Sequence, residues 1–249
     1  MTNSVPEHEV VVAPIEALRV GFVELVRDLG RDAIARRQRF ALAVPGGSVA
    51  SRLLTALTPH TVAWGQTDLY WCDERVVPED HPDSNSGTAR TGWLQPLAGS
   101  GVRIHPMVTA VEPPGRIADR YAEQLAATLG TPPVLDLLVV GVGEDGHVGS
   151  LFPGLPGLAE AARWVIGVEQ APKLPRQRVS MTLPVVTGAR CLVVAAFGAS
   201  KRDVMRCAIE EPTCVLPVAL ALRGAARAVV LLDDAAASTL SVFRRASGT

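Results

Sequence analysis

Apolar residues along this chain fall into two alternating kinds of run. Between positions 15 and 37 they recur at Leu18, Phe22, Leu25, Val26 and Leu29, the spacing of one face of a helix. Residues 40–44, 68–72, 136–140, 164–168, 178–182, 191–197 and 228–232 are instead short runs that read as strands, 136–140 being dense and aliphatic. Further helices are expected over 49–57, 118–129, 200–209, with Ser200 as a cap, and 235–244. The alternation predicts an α/β fold: a Rossmann-like open, mostly parallel sheet with helices on both faces. Residues 1–249 are expected to form a single domain, with room for a small lid-like insertion. The stretch 99–115 is the loosest region and is expected to be a mobile connection.

In such sheets ligands bind beyond the carboxyl ends of the strands. Three polar, glycine-bearing segments fall there. Gly46-Gly47-Ser48 follows one strand, Asp73-Glu74-Arg75 another, and Gly141 to Ser150 a third.

Composition narrows the choices. Hydrophobic residues make up 48% of the chain and charged residues 20%, enough for a sizeable core. The net charge of -1 gives no long-range attraction to nucleic acid or to an acidic membrane, so neither is expected as a partner, and an anionic ligand must be held by local cations. Only two lysines, Lys173 and Lys201, stand among 22 arginines, which marks both as positions where a compact ammonium is wanted. Cys72, Cys191, Cys207 and Cys214 lack metal-binding spacing, so no metal is expected. A reduced, cytoplasmic protein is expected, without a signal peptide in MTNSVPEHEV and without a membrane span.

The third segment carries the chemistry. Gly141, Gly143 and Gly146 spell GxGxxG after a strand, the pattern of a dinucleotide site. The helix that such a site requires is blocked by Pro153, Gly154, Pro156 and Gly157, so no nucleotide cofactor is expected. His147 follows the turn and is the candidate general base, since a neutral imidazole takes a proton from water near pH 7. Asp145 either orients that ring or caps the turn. Gly143 lets the backbone approach a ligand, and Ser150 is a candidate substrate contact; a serine nucleophile is rejected because there is no GxSxG elbow. Gly46, Gly47 and Ser48 open a helix and suit an anion. Arg75, Arg178, Lys173 and Lys201 supply cations, Asn85 both a donor and an acceptor, and Asp73 a second acid in the site wall.

Taken in order, these segments resemble the glucosamine-6-phosphate isomerase/6-phosphogluconolactonase family over essentially the whole chain. The residues that carry the resemblance are Gly46-Gly47-Ser48, WCDER at 71–75 with Asn85, DLLVVGVGEDGHVGSLFP at 136–153, Lys173 to Arg178 with VSMTLP, Gly198-x-x-Lys201 and LLDDAA at 231–236. Pro45, Val49-Ala50 and Leu174 depart from the family pattern. The aminosugar-phosphate deaminases of the family follow Asp-Gly-His with a Phe-Asn-Glu type stretch; this chain has Ser150-Leu151-Phe152-Pro153 and resembles the lactonase branch. The resemblance implies hydrolysis of 6-phospho-D-glucono-1,5-lactone to 6-phosphogluconate without a cofactor, by a monomer or weak homodimer. The alternatives are an aminosugar-6-phosphate deaminase and a non-catalytic sugar-phosphate sensor.

Overall fold

A computed structural model describes residues 8–241. In chain order the elements are β1 (Glu9–Val12), α1 (Ile15–Arg37), β2 (Phe40–Val44), α2 (Gly47–Arg52), β3 (Thr67–Trp71), β4 (Asp73–Arg75), α3 (Asn85–Thr91), β5 (Arg103–His105) and α4 (Pro114–Leu129). There follow β6 (Leu137–Gly141), β7 (Val165–Val168), β8 (Arg178–Met181), α5 (Leu183–Gly188), β9 (Leu192–Ala196), α6 (Arg202–Glu210), α7 (Pro217–Gly224), β10 (Ala228–Leu232) and α8 (Asp234–Ala237).

Seven strands form one parallel sheet in the order β1-β10-β9-β6-β2-β3-β5. Every residue of β2, β3, β9 and β10 is buried, which requires cover on both faces and explains why β2, β9 and β10 are continuous apolar runs. From β2 the chain builds outward through β3 to β5; from β6 it builds the other way through β9 and β10. The β2–β6 boundary is therefore the point where the winding reverses, and the loops after these two strands diverge to leave a crevice. The remaining strands make a small antiparallel sheet, β4-β8-β7, against which α4 packs.

Several expectations change. The stretch 99–115 is tied down: β5 pairs with β3, and Arg103 grips the buried Asp68 with two bonds of 2.8 Å. His105 Nε2 meets the same carboxylate at 2.8 Å. The helix expected over 49–57 stops at Arg52 and continues as a 3-10 turn, Leu54–Ala56. Ser200 is not a cap; it lies in a 3-10 turn ahead of α6, and the turn's Gly198 N–H is held by Asp233 at 2.9 Å. The last helix is the short α8, and the expected residues 242–244 lie outside the described residues. Cys207 and Cys214 form a disulfide, against the expected reduced state, because the turn after α6 brings α6 and the approach to α7 together. Cys72 and Cys191 are free and buried. Among the described residues no helix is long and apolar enough to cross a membrane.

Candidate active site

The crevice at the β2–β6 boundary holds a cavity of about 280 Å³. Eleven of the thirteen residues singled out above line it: Gly46, Gly47, Ser48, Asp73, Arg75, Asn85, Gly143, His147, Lys173, Arg178 and Lys201. Asp145 stands behind His147, and Ser150 does not reach the cavity.

The loop after β6 is folded on itself. Gly143 N–H donates to the His147 carbonyl at 2.8 Å, and Gly146 N–H to the Gly143 carbonyl at 3.0 Å. Gly146 needs a left-handed φ of 81°. A Cβ at Gly143 would overlap the His147 ring and Asp145, so that glycine makes room for the base rather than for a ligand. His147 Nδ1 lies 2.5 Å from Asp145 Oδ1, and Phe152 leans on the ring at 4.6 Å between centroids. Donation from Nδ1–H fixes the tautomer and leaves the lone pair on Nε2. Burial disfavours ionisation of Asp145, but the hydrogen bond and charge of His147 outweigh it and hold the carboxyl below the usual carboxylate range.

Ser150 is buried and spent: Oγ donates to Asp73 Oδ2 at 2.7 Å, and its N–H donates to Ser180 Oγ at 3.1 Å. It braces Asp73 from behind. Substrate contact by this hydroxyl was expected because sequence position puts it beside His147; the turn at Gly149, with φ 55°, sends it inward.

The second wall is built on β4 and the start of α3. Arg75 Nη1 donates to the Asp83 carbonyl at 3.1 Å and to Asn85 Oδ1. Asn85 Nδ2 donates to the Asp73 carbonyl at 2.9 Å. Gly46 must lack a side chain because Asn85 packs onto its Cα. The organising residue was missed in the sequence. Glu74 is 1% exposed, and its carboxylate accepts the N–H groups of Arg75, Asn85 and Ser86, each at 2.8 Å. Burial nevertheless pushes its pKa up, against those three bonds. The only cue was its place inside an acid-acid-Arg triplet, which also fits a surface ion cluster.

Four cations ring the cavity. Arg178 is 5% exposed; Nε and Nη2 bind the carbonyls of Pro175, Lys173 and Leu174 at 3.0, 3.2 and 3.3 Å. Much of its donor capacity therefore shapes the Lys173 loop. Burial draws its pKa below the usual arginine value, although Asp73 opposes this. Burial likewise draws Lys201 down; Lys173 adds to the effect and Glu144 opposes it. Both lysines line the cavity. Asp233, also missed, caps α8 through Ala236 N–H at 2.8 Å and holds the Gly198 turn that presents Lys201. At the start of α2 the first-turn N–H groups have no partner within the helix. Among the described residues no three His, Cys, Asp or Glu side chains converge as a metal site would require.

The family model described as glucosamine-6-phosphate isomerases/6-phosphogluconolactonase matches residues 15–230. The chain belongs to this family. It is 38% identical over 213 residues to a 6-phosphogluconolactonase of Rattus norvegicus, covering 83% of this chain and 82% of the relative. A 6-phosphogluconolactonase of Streptomyces coelicolor is 37% identical over 223 residues, covering 84% and 85%. Among solved structures, the 6-phosphogluconolactonase from Trypanosoma brucei superposes with a TM-score of 0.81 at 25% identity, covering 94% of this chain and 99% of that one.

Proposed function

We propose that this chain hydrolyses 6-phospho-D-glucono-1,5-lactone to 6-phosphogluconate, in the oxidative pentose phosphate pathway, as a cytoplasmic enzyme. The observation that carries the reading is the Asp145–His147 pair, 2.5 Å apart, on a cavity otherwise ringed by cations. The named activity of the relatives supports it.

In this scheme His147 Nε2 takes a proton from water as the oxygen attacks the lactone carbonyl carbon. Asp145 stabilises the imidazolium that forms. When the tetrahedral intermediate collapses, the bond to the ring oxygen breaks and the imidazolium returns its proton to that oxygen. One water is consumed; the product carries a free hydroxyl and a carboxylic acid, which releases its proton to solvent and leaves as the carboxylate. The N–H groups of Gly143 and Gly146 are already engaged, so they are not the oxyanion donors. The free first-turn N–H groups of α2 remain available, either to the oxyanion or to the phosphate. Arg75, Lys173 and Lys201 hold the phosphate, and Arg178 sets the Lys173 loop.

The test is a coupled assay. Lactone is generated by a glucose-6-phosphate dehydrogenase, product is followed with 6-phosphogluconate dehydrogenase, and spontaneous hydrolysis is subtracted. Turnover by the wild type that falls by about 10²–10⁴-fold in a folded His147→Ala variant is expected. Unchanged turnover in that variant, or ammonia release from glucosamine-6-phosphate, would overturn the reading.

A further inference from the structure

The strands of the main sheet have a second pole. Asp136 precedes β6, whose five residues lead to the His147 loop, so the two poles are roughly 17 Å apart along the strand. At the Asp136 end lies another cavity, of about 270 Å³, whose charged lining is Arg36, Arg37, Arg190, Arg227, Asp32 and Asp136. Four guanidiniums face two carboxylates in a protein whose net charge is only -1.

The two acids do not exhaust these cations. Asp136 is buried; one oxygen takes Arg37 Nη2 at 2.7 Å and Arg190 Nε at 3.3 Å, and the other accepts Ala41 N–H at 2.9 Å. It anchors the two arginines by one nitrogen each and leaves their remaining N–H groups without a protein acceptor among the described residues. Asp32 stands 3.7 Å from Arg36, an exposed pair worth little. Arg227 has no acid within ion-pair distance among the described residues. The backbone behind it is already paired, Leu192 N–H donating to the Arg227 carbonyl at 3.0 Å. Arg36 and Arg37 thus come from the last turn of α1, and Arg190 and Arg227 from just ahead of β9 and β10; Asp136 anchors Arg37 and Arg190, and the four guanidiniums keep spare donors of the kind that bind phosphate bidentately.

We infer that this arginine-lined cavity at the strand pole opposite the candidate active site binds a small polyanion of the diphosphate or bisphosphate class. The ligand would bridge Arg227 and Arg190, with Arg36 and Arg37 at its flank. Four guanidiniums against two carboxylates leave a net charge of +2, of which a single monovalent anion would compensate only half.

Inorganic pyrophosphate is the probe, and equilibrium binding to the full chain is measured by calorimetry at low ionic strength. Arg75→Ala serves to weaken anion binding at the first cavity. A pyrophosphate site that survives Arg75→Ala and is lost in Arg190→Ala/Arg227→Ala is expected. Arg227→Gln touches no acid and keeps the fold; it is expected to weaken that site by about tenfold, the scale of one charged hydrogen bond. Lactone turnover by Arg227→Gln should match the wild type. The inference is overturned if no site survives Arg75→Ala, or if the surviving site is indifferent to both Arg227 variants.

Discussion

Glu74 Oε1 accepts the backbone N–H of Asn85 at 2.8 Å, across a loop that joins β4 to α3. The same carboxylate fixes Arg75 and Ser86, so one buried charge sets the relative position of a cation and an amide on the cavity wall. Glu74→Gln keeps the shape and loses one acceptor oxygen, leaving an N–H facing an NH₂ group. A loss of about 1–3 kcal/mol in stability is expected, read by urea unfolding. Below the melting range, KM should rise more than kcat falls, because the altered geometry lies at Arg75 and not at His147.

Asp145 makes a second prediction, on pH. Its folded pKa lies below the ordinary carboxylate value of about 3.9. A depressed acid contributes stability that is present above the unfolded pKa and lost as pH falls through the folded one. Unfolding free energy measured from pH 5 to pH 2 should therefore decline less steeply in Asp145→Asn than in the wild type. The same variant should lower kcat at neutral pH, because an amide can present its carbonyl to Nδ1–H but cannot stabilise the imidazolium.

Gly143→Ala places a methyl group where His147 and Asp145 meet. The protein is expected to stay folded, since the loop lies outside the sheet, while kcat falls by at least about tenfold through displacement of the ring. Comparing the melting temperature with kcat separates the two effects; parallel losses would contradict the expectation.

Lys201→Ala should raise KM for the phosphorylated lactone by about tenfold or more. Gluconolactone without the phosphate should show almost no difference between variant and wild type. Equal effects on both substrates would remove Lys201 from the phosphate site.

The disulfide has a chemical readout. Thiol titration of the unfolded, unreduced protein should find two reactive groups, Cys72 and Cys191, and four after reduction. Four thiols before reduction would rule out the Cys207–Cys214 bond.

The central strands were legible because cover on both faces leaves an uninterrupted aliphatic run; β2 and β10 have the bounds read from the sequence. What escaped notice was polar. The segment HPDSNSGTAR reads as solvated chain, yet Ser84 Oγ accepts Gly87 N–H at 3.0 Å and Glu74 takes the two N–H groups before it, which makes it α3. No local periodicity reports a helix whose first N–H groups are satisfied by a strand ten residues upstream. β4 was hidden likewise: Asp-Glu-Arg carries no strand propensity, and only pairing with β8 orders it. At the site, spacing brought His147 and Asp145 together in the reading, but whether Ser150 faced outward depended on the turn at Gly149, which sequence leaves open.

In the antiparallel pairing of β4 with β8, Arg75 stands opposite Arg178. Like charges directly across a ladder repel, and an anion seated between them relieves the strain. The fold thus maintains an electrostatic tension that a bound phosphate would discharge. Because strand side chains alternate between faces, a slip of one residue would bring Glu74 to the cavity and bury Arg75 instead. The same three letters would then turn an acid toward the cavity in place of a cation, so the proposed phosphate site depends on the phase of β4 as much as on its composition.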